Sequence, residues 1–132
     1  MSFVDPVLVY NFSPTIPADT AEDDPYTTTL TIPPLEVVAL YWQQPAGANG
    51  WVGWQITDSS GAVIVPTNGG WFVASDAEDT WPLYDAITSG AWGFAGWNTG
   101  TYDHTTYLRF LCQPLGSSQS LPDQYTVVSA NG

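Results

Sequence analysis

One imidazole, His104, one thiol, Cys112, and one cation, Arg109, make up most of the catalytic stock of this chain, which has no lysine. A Ser-His-Asp or Cys-His nucleophile would have to draw on His104, because the hydroxyl or thiol needs a base that a third group orients. Asp103 adjoins His104 in sequence and could orient it only through an unusual turn. His104 reads instead as a polar residue of the turn 98–104 that leads into a strand. Histidine-based zinc fails on the same count, since one His and one Cys cannot supply three or four ligands.

Carboxylates are the one abundant reactive group, thirteen in all. Asp76, Glu78, Asp79, Asp85 and Asp103 sit near aromatic residues, which is the raw material of an acid pair for glycoside hydrolysis. Pairs of acids arise by chance in any chain so rich in them, so the spacing carries little. Asp19, Glu22, Asp23 and Asp24 form one acidic cluster and Asp76, Glu78 and Asp79 another. Neither follows the calcium loop of twelve residues with glycine at its sixth place. The glycines at 47–50 and 90–100 fit no phosphate cradle, and no lysine is present to meet a phosphate. The expectation is a protein without catalytic residues, cofactor or metal, whose work is contact and not turnover.

Charge narrows the partner. A formal net charge of -12 sets nucleic acid aside, because such binding is driven by lysine and arginine neutralising phosphates. No apolar run approaches the roughly 20 residues of a membrane span. The opening Met1-Ser2-Phe3-Val4-Asp5 has no basic region of the signal-peptide kind, and a lone cysteine forms no disulfide within the chain, so the expected setting is a reducing cytosol. Charged residues are only 11% of the chain, against roughly 25% in an ordinary soluble domain, so much of the surface is expected to be covered by something.

What must position these groups is a set of strands. Short apolar or alternating runs recur between turn signals over 26–32, 35–43, 50–57, 62–66, 70–74, 79–84, 91–98 and 105–112, and no segment shows a helical period with caps. Asp58-Ser59-Ser60-Gly61 and Asn68-Gly69-Gly70 read as hairpin turns. The fold class expected is all-β: a single, jelly-roll-like β-sandwich of about eight antiparallel strands over 26–112. An extended N-terminal arm, 1–25, and a C-terminal arm, 113–132, flank it.

Period-two alternation assigns the faces. Val52, Trp54 and Ile56 are expected inside, as are Leu108, Phe110 and Cys112, with Thr105, Tyr107 and Arg109 opposite. In 35–43 both sets are apolar, Val37, Ala39 and Tyr41 against Val38, Leu40 and Trp42, which fits a strand either central in a two-layer sandwich or buried by another chain. Seven tryptophans exceed what one core needs. Trp54 and Trp92 are expected inside, and Trp51, Trp71 and Trp97 remain as contact candidates, since tryptophan anchors interfaces and stacks on sugars.

The stretches 14–20 and 27–33, Gly50-Trp51-Val52-Gly53-Trp54-Gln55-Ile56, 65–71 and Ala95-Gly96-Trp97-Asn98-Thr99-Gly100 give the chain, over roughly 14–112, a pattern that resembles small β-sandwich virion proteins of tailed bacteriophages, of the capsid decoration and tail-fibre type. The resemblance implies a non-enzymatic decoration (cement) protein, made in the host cytoplasm and carried on the virion. It also implies a homo-oligomer, such as a trimer, bound to the major capsid protein. The expected interface comprises Phe3, Val7, Val9, Tyr10 and Phe12 of the N-terminal arm. Trp51, Trp71, Trp97, Tyr107 and Arg109 join it from the domain. Two other readings stand beside it: a glycan-binding module of a tail, using Trp51, Trp71 and Trp97 as stacking platforms, and a tail-tube or connector component.

Overall fold

The computed structural model describes residues 8–87 and 91–115, with backbone alone over 84–87. Phe3, Val7 and nearly all of the expected C-terminal arm lie outside these residues. The described chain is all-β, and every strand pair is antiparallel. The strands are β1 Leu8–Phe12, β2 Thr15–Ile16, β3 Tyr26–Leu30, β4 Glu36–Gln44, β5 Val52–Thr57, β6 Val63–Val65, β7 Phe72–Val73, β8 Ala77–Ile87, β9 Trp92–Asn98, β10 His104–Thr105 and β11 Tyr107–Gln113.

Two principal sheets result. The first runs β1-β11-β4-β8, and the second runs β3-β9-β5-β6 with β7 also paired to β5. The small ribbon β10-β2 closes one end. The sheets pack face to face through aromatic side chains. Trp42 of β4 meets Trp54 of β5 at 6.2 Å between ring centroids, and Trp92 of β9 meets Phe110 of β11 at 5.9 Å, both edge-on. Phe72 and Trp81 extend this cluster at the β7–β8 side, 4.7 Å apart. The edge-to-face arrangement is the one that ring quadrupoles favour.

Val52, Trp54, Ile56, Leu108, Phe110 and Cys112 are buried as alternation requires. The alternation expected for 35–43 breaks at Val38. There β11 sets Leu111 opposite Ala39 and Cys112 opposite Val37, leaving Val38 as an extra residue in β4. The bulge swings Val37 inward with Leu40 and Trp42, and leaves Val38 exposed and Ala39 and Tyr41 on the outer face. Within this chain one face of β4 is therefore core and the other is open, and β4 lies between β11 and β8 as a central strand of the first sheet.

The arm expected over 1–25 is in its described part bound into the sheets. β1 is an edge strand of the first sheet, with Leu8 opposite Cys112 and Phe12 opposite Leu108, and Phe12 packs edge-on against Phe110 at 5.9 Å. Ile16 is fully buried, its Cδ1 filling the space over Gly96. Both turns form, the first as the expected hairpin between β5 and β6, but the second joins β6 to β7, which both pair with β5 and not with each other, so it is not a hairpin. Asp58 Oδ1 accepts from the Ser60 and Ala62 amides and the Ser60 hydroxyl, with Gly61 at φ 89°. Asn68 Oδ1 accepts from the Gly70 amide, with Gly69 at φ 83°. Both glycines hold a left-handed backbone that other residues rarely adopt.

Candidate functional site

The sparse reactive groups are dispersed and otherwise engaged. His104 pairs with Ile16 in the β10–β2 ribbon. Asp103 Oδ1 accepts the Ala18 amide at 2.9 Å and so serves to hold the segment leading to Asp19. Cys112 lies in the core, where burial pushes its thiol up to about 11. Asp79 caps the Thr80 amide at 2.8 Å and accepts the Trp81 indole N–H at 3.1 Å. Among the described residues no three or more His, Cys, Asp or Glu side chains gather where a metal could be held.

The loops at one end of the sandwich are joined by Asn98, a fully buried polar residue. Its Nδ2 donates to the Ile16 carbonyl at 3.1 Å and the Tyr102 carbonyl at 2.8 Å, and its Oδ1 accepts the Gly100 amide at 2.9 Å. Its backbone pairs reciprocally with Thr20. Trp51, 51% exposed, lies against Gly100, where a Cβ would come within 3.0 Å of its ring.

Three surfaces are left for contact. The first is the outer face of the second sheet. Trp97 lies across Gly53, so close that a Cβ there would sit 2.5 Å from the indole. Val73, opposite Gly53 on β7, is exposed beside it. By the alternation of β5 and β9, Trp51 falls on this same face, and Trp71, half-buried, immediately precedes β7 next to Gly70, whose carbonyl accepts the Gln55 amide at 3.0 Å. The three tryptophans expected as platforms therefore gather on one side of the sandwich. Trp97 Nε1 is buried and finds no partner among the described residues.

The second surface is the outer face of the first sheet. Asn11, Arg109, Tyr41 and Thr80 stand opposite one another across four strands, and Tyr107, Gln43 and Glu78 form the next row. Arg109 Nε donates to Asn11 Oδ1 at 3.2 Å, and its guanidinium lies over the Tyr41 ring, 5.4 Å from the centroid. Tyr41 donates its hydroxyl to Glu78, and that bond, with burial and the Glu78 charge, raises the phenol above its ordinary value against the opposing pull of Arg109. A groove of about 310 Å³ opens here, lined by Asn11, Ser13, Tyr41, Gln43, Arg109 and the 45% exposed Tyr107.

The third is a corner of the first sheet. Leu8, Val9, Val38 and Leu115 are four of the exposed large apolar side chains, 37%, 46%, 39% and 52% exposed. Register places Val9, Leu111 and Ala39 side by side across three strands on the outer face, beside the bulged Val38, whereas Leu8, in register with the buried Cys112 and Val37, falls on the opposite face of the edge strand; the two ends of the described chain lie close together here. Of the expected interface residues, Val9, Tyr107 and Arg109 are exposed on this sheet. Tyr10 and Phe12 pack against the chain's own core. Leu8, Val38 and Leu115 are not among the expected interface residues: Val38 is exposed by a bulge, and Leu8 and Leu115 lie within the segments read as arms. No protein-family model and no curated protein matches this sequence.

Proposed function

We propose that this chain is a non-enzymatic contact protein of a virion, a capsid decoration (cement) protein that docks through the apolar corner of its first sheet. The observation that carries the reading is the exposure of Val9 and Val38 on one outer face, in the row of Leu111 and Ala39, close to where both ends of the described chain lie. Contiguous exposed apolar side chains mark interaction surfaces. Chain ends that leave one corner would let flanking segments grip the same neighbour.

The strand order adds support. Setting aside β2, β7 and β10, the remaining eight strands run first-eighth-third-sixth in one sheet and second-seventh-fourth-fifth in the other. This is the order of a two-Greek-key jelly roll, a scaffold used by capsid and lectin domains. Fold alone does not assign function, so the corner and not the topology bears the weight. A net charge of -12 suits a basic docking site and keeps free copies apart. In this reading the chain is made in the host cytoplasm and sits on the particle as a homo-oligomer.

The test is co-sedimentation of the purified chain with particles that lack it. Saturable binding is expected. It should be lost in Val9→Asp and Val38→Asp variants whose circular dichroism and melting match the parent. Undiminished binding by both variants overturns the corner as the docking site.

A second reading, a glycan-binding module, is favoured by one observation: Trp97 lies flat on Gly53, on the face that also carries Trp51 and Trp71. A glycan array run with and without calcium separates the two. Binding that disappears in Trp97→Ala and survives Val38→Asp would replace the docking reading with this one.

A further inference from the structure

We infer that the groove beside Arg109 binds a sugar acid, a pyranose ring bearing a carboxylate. This site is on the outer face of the first sheet, away from the tryptophan face, and the inference does not depend on the docking reading.

The only cation of the chain is placed with care. Its Nε is tied to Asn11 and its Cζ lies over the Tyr41 ring, 5.4 Å from the centroid. Both contacts fix the guanidinium without using its terminal Nη groups, which meet no carboxylate among the described residues, in a chain with thirteen acids. Ring contact supports an arginine while leaving its fork open. That fork matches the two oxygens of a carboxylate and gains a pair of charge-assisted hydrogen bonds when one arrives.

The rest of the groove suits a ring with hydroxyls more than a bare anion. Tyr107, exposed on the groove wall, offers a face on which sugar C–H groups can pack. The Asn11 and Gln43 amides each carry donors and an acceptor, the mixed set that vicinal hydroxyls need. A volume of about 310 Å³ is at the small end for ligand sites, the scale of one sugar unit and not of an extended chain. One guanidinium with no lysine beside it is a weak match for a dianionic phosphate. Glu78, the carboxylate one row away on this face, is engaged by the Tyr41 hydroxyl, and charges beyond about 8 Å are screened at physiological salt, so Arg109 is the group left to meet an anion in the groove.

Calorimetric or NMR titration of the full chain, free of any particle, tests this with glucuronate, N-acetylneuraminate, glucose, acetate, inorganic phosphate and a polyglutamate peptide. At least one sugar acid should bind about tenfold tighter than glucose and than acetate, as a bidentate charge-assisted contact allows. Arg109→Lys and Arg109→Gln should each lose about that factor, and Tyr107→Ala should weaken the sugar acid while leaving acetate unchanged. Both positions are exposed, so melting should match the parent and report that the fold is intact. The inference is overturned by equal affinity for glucose and the sugar acids, by indifference to both Arg109 variants, by tighter binding of phosphate or the peptide, or by no binding of either sugar acid.

Discussion

At the scale of single residues, the contacts that matter most are those where a small group makes room for a large one. Gly53 exists so that Trp97 can lie on the sheet, and a Cβ 2.5 Å from the indole leaves no rotamer in place. Gly53→Ala should therefore cost about 1–3 kcal/mol, the usual toll of overpacking, and expose Trp97, seen as a lowered Tm with a red shift of tryptophan emission. Asn98 is the converse case, a polar side chain whose three hydrogen bonds are each made to backbone groups, one in β2 and two in the turn that follows β9. Asn98→Ala removes them together and should cost about 3 kcal/mol, measured by urea unfolding, because stranded partners lose their desolvation as well as their bond. Asp58 has a smaller and pH-dependent part. Hydrogen bonds from the Ser60 hydroxyl and amide, outweighing slight burial, hold its carboxyl below the ordinary 3.8. A folded-state value below the unfolded one gives stability that is whole above 3.8 and is lost as pH falls through the lower value. The Tm gap between the parent and Asp58→Ala should accordingly be present at neutral pH and narrow in acid.

At the scale of elements, the sequence carried the strands of the sandwich and missed what bends them. The runs from 26 to 112 all became strands, because alternation of Val, Ile and aromatic residues against polar ones is a local signal that survives folding. The bulge at Val38 was invisible, since it depends on how many residues β11 sets against β4, a pairing between distant parts of the chain. A one-residue slip there exchanged Val37 with Val38, moving one from the outer face to the core. β1 was read as an arm for a related reason: Pro6, Pro14 and Pro17 bracket it, and proline density argues against a sheet interior, yet β1 is an edge strand with only one partner. The tryptophan face was half legible, because phase showed Trp51 and Trp97 to be outward but not that Gly53 would underlie one of them. The place of β1 in the sheet decides how far the N-terminus can be cut back without touching the sandwich. Removal of residues 1–12 would strip β1 and the Phe12–Phe110 contact, whereas removal of 1–7 leaves every described pairing intact. The shorter deletion should melt like the parent, and removal of 1–12 should melt at least several degrees lower, since loss of a half-buried Phe costs a few kcal/mol in a domain of this size.

At the scale of the whole molecule, the single thiol reports on the sandwich and on its docking together. Cys112 is 1% exposed, lies in β11 between the partners Leu8 and Val37, and so sits beneath the apolar corner. Only the thiolate attacks a disulfide reagent, and burial pushes this thiol up to about 11, so the folded protein offers the reagent neither access nor nucleophile. The folded-state value is the higher, so the corresponding stability is whole below the ordinary 9.0 and drains away as pH rises through about 11. At neutral pH, labelling should be slow and should follow the same urea midpoint as tryptophan emission, as cooperative unfolding of one core requires. Fast labelling in native buffer would mean that β1 peels from β11 on its own. If the corner is the docking face, particle-bound copies bury Leu8, Val9 and Val38, and ligand that binds only the folded form suppresses opening by mass action. Labelling of bound chain should then be slower than that of free chain under the same conditions, and slower still at low ionic strength if a basic site on the particle holds the acidic surface. Equal rates for bound and free chain would show that the contact is made elsewhere on the molecule, with the tryptophan face of the second sheet as the surface to mutate next.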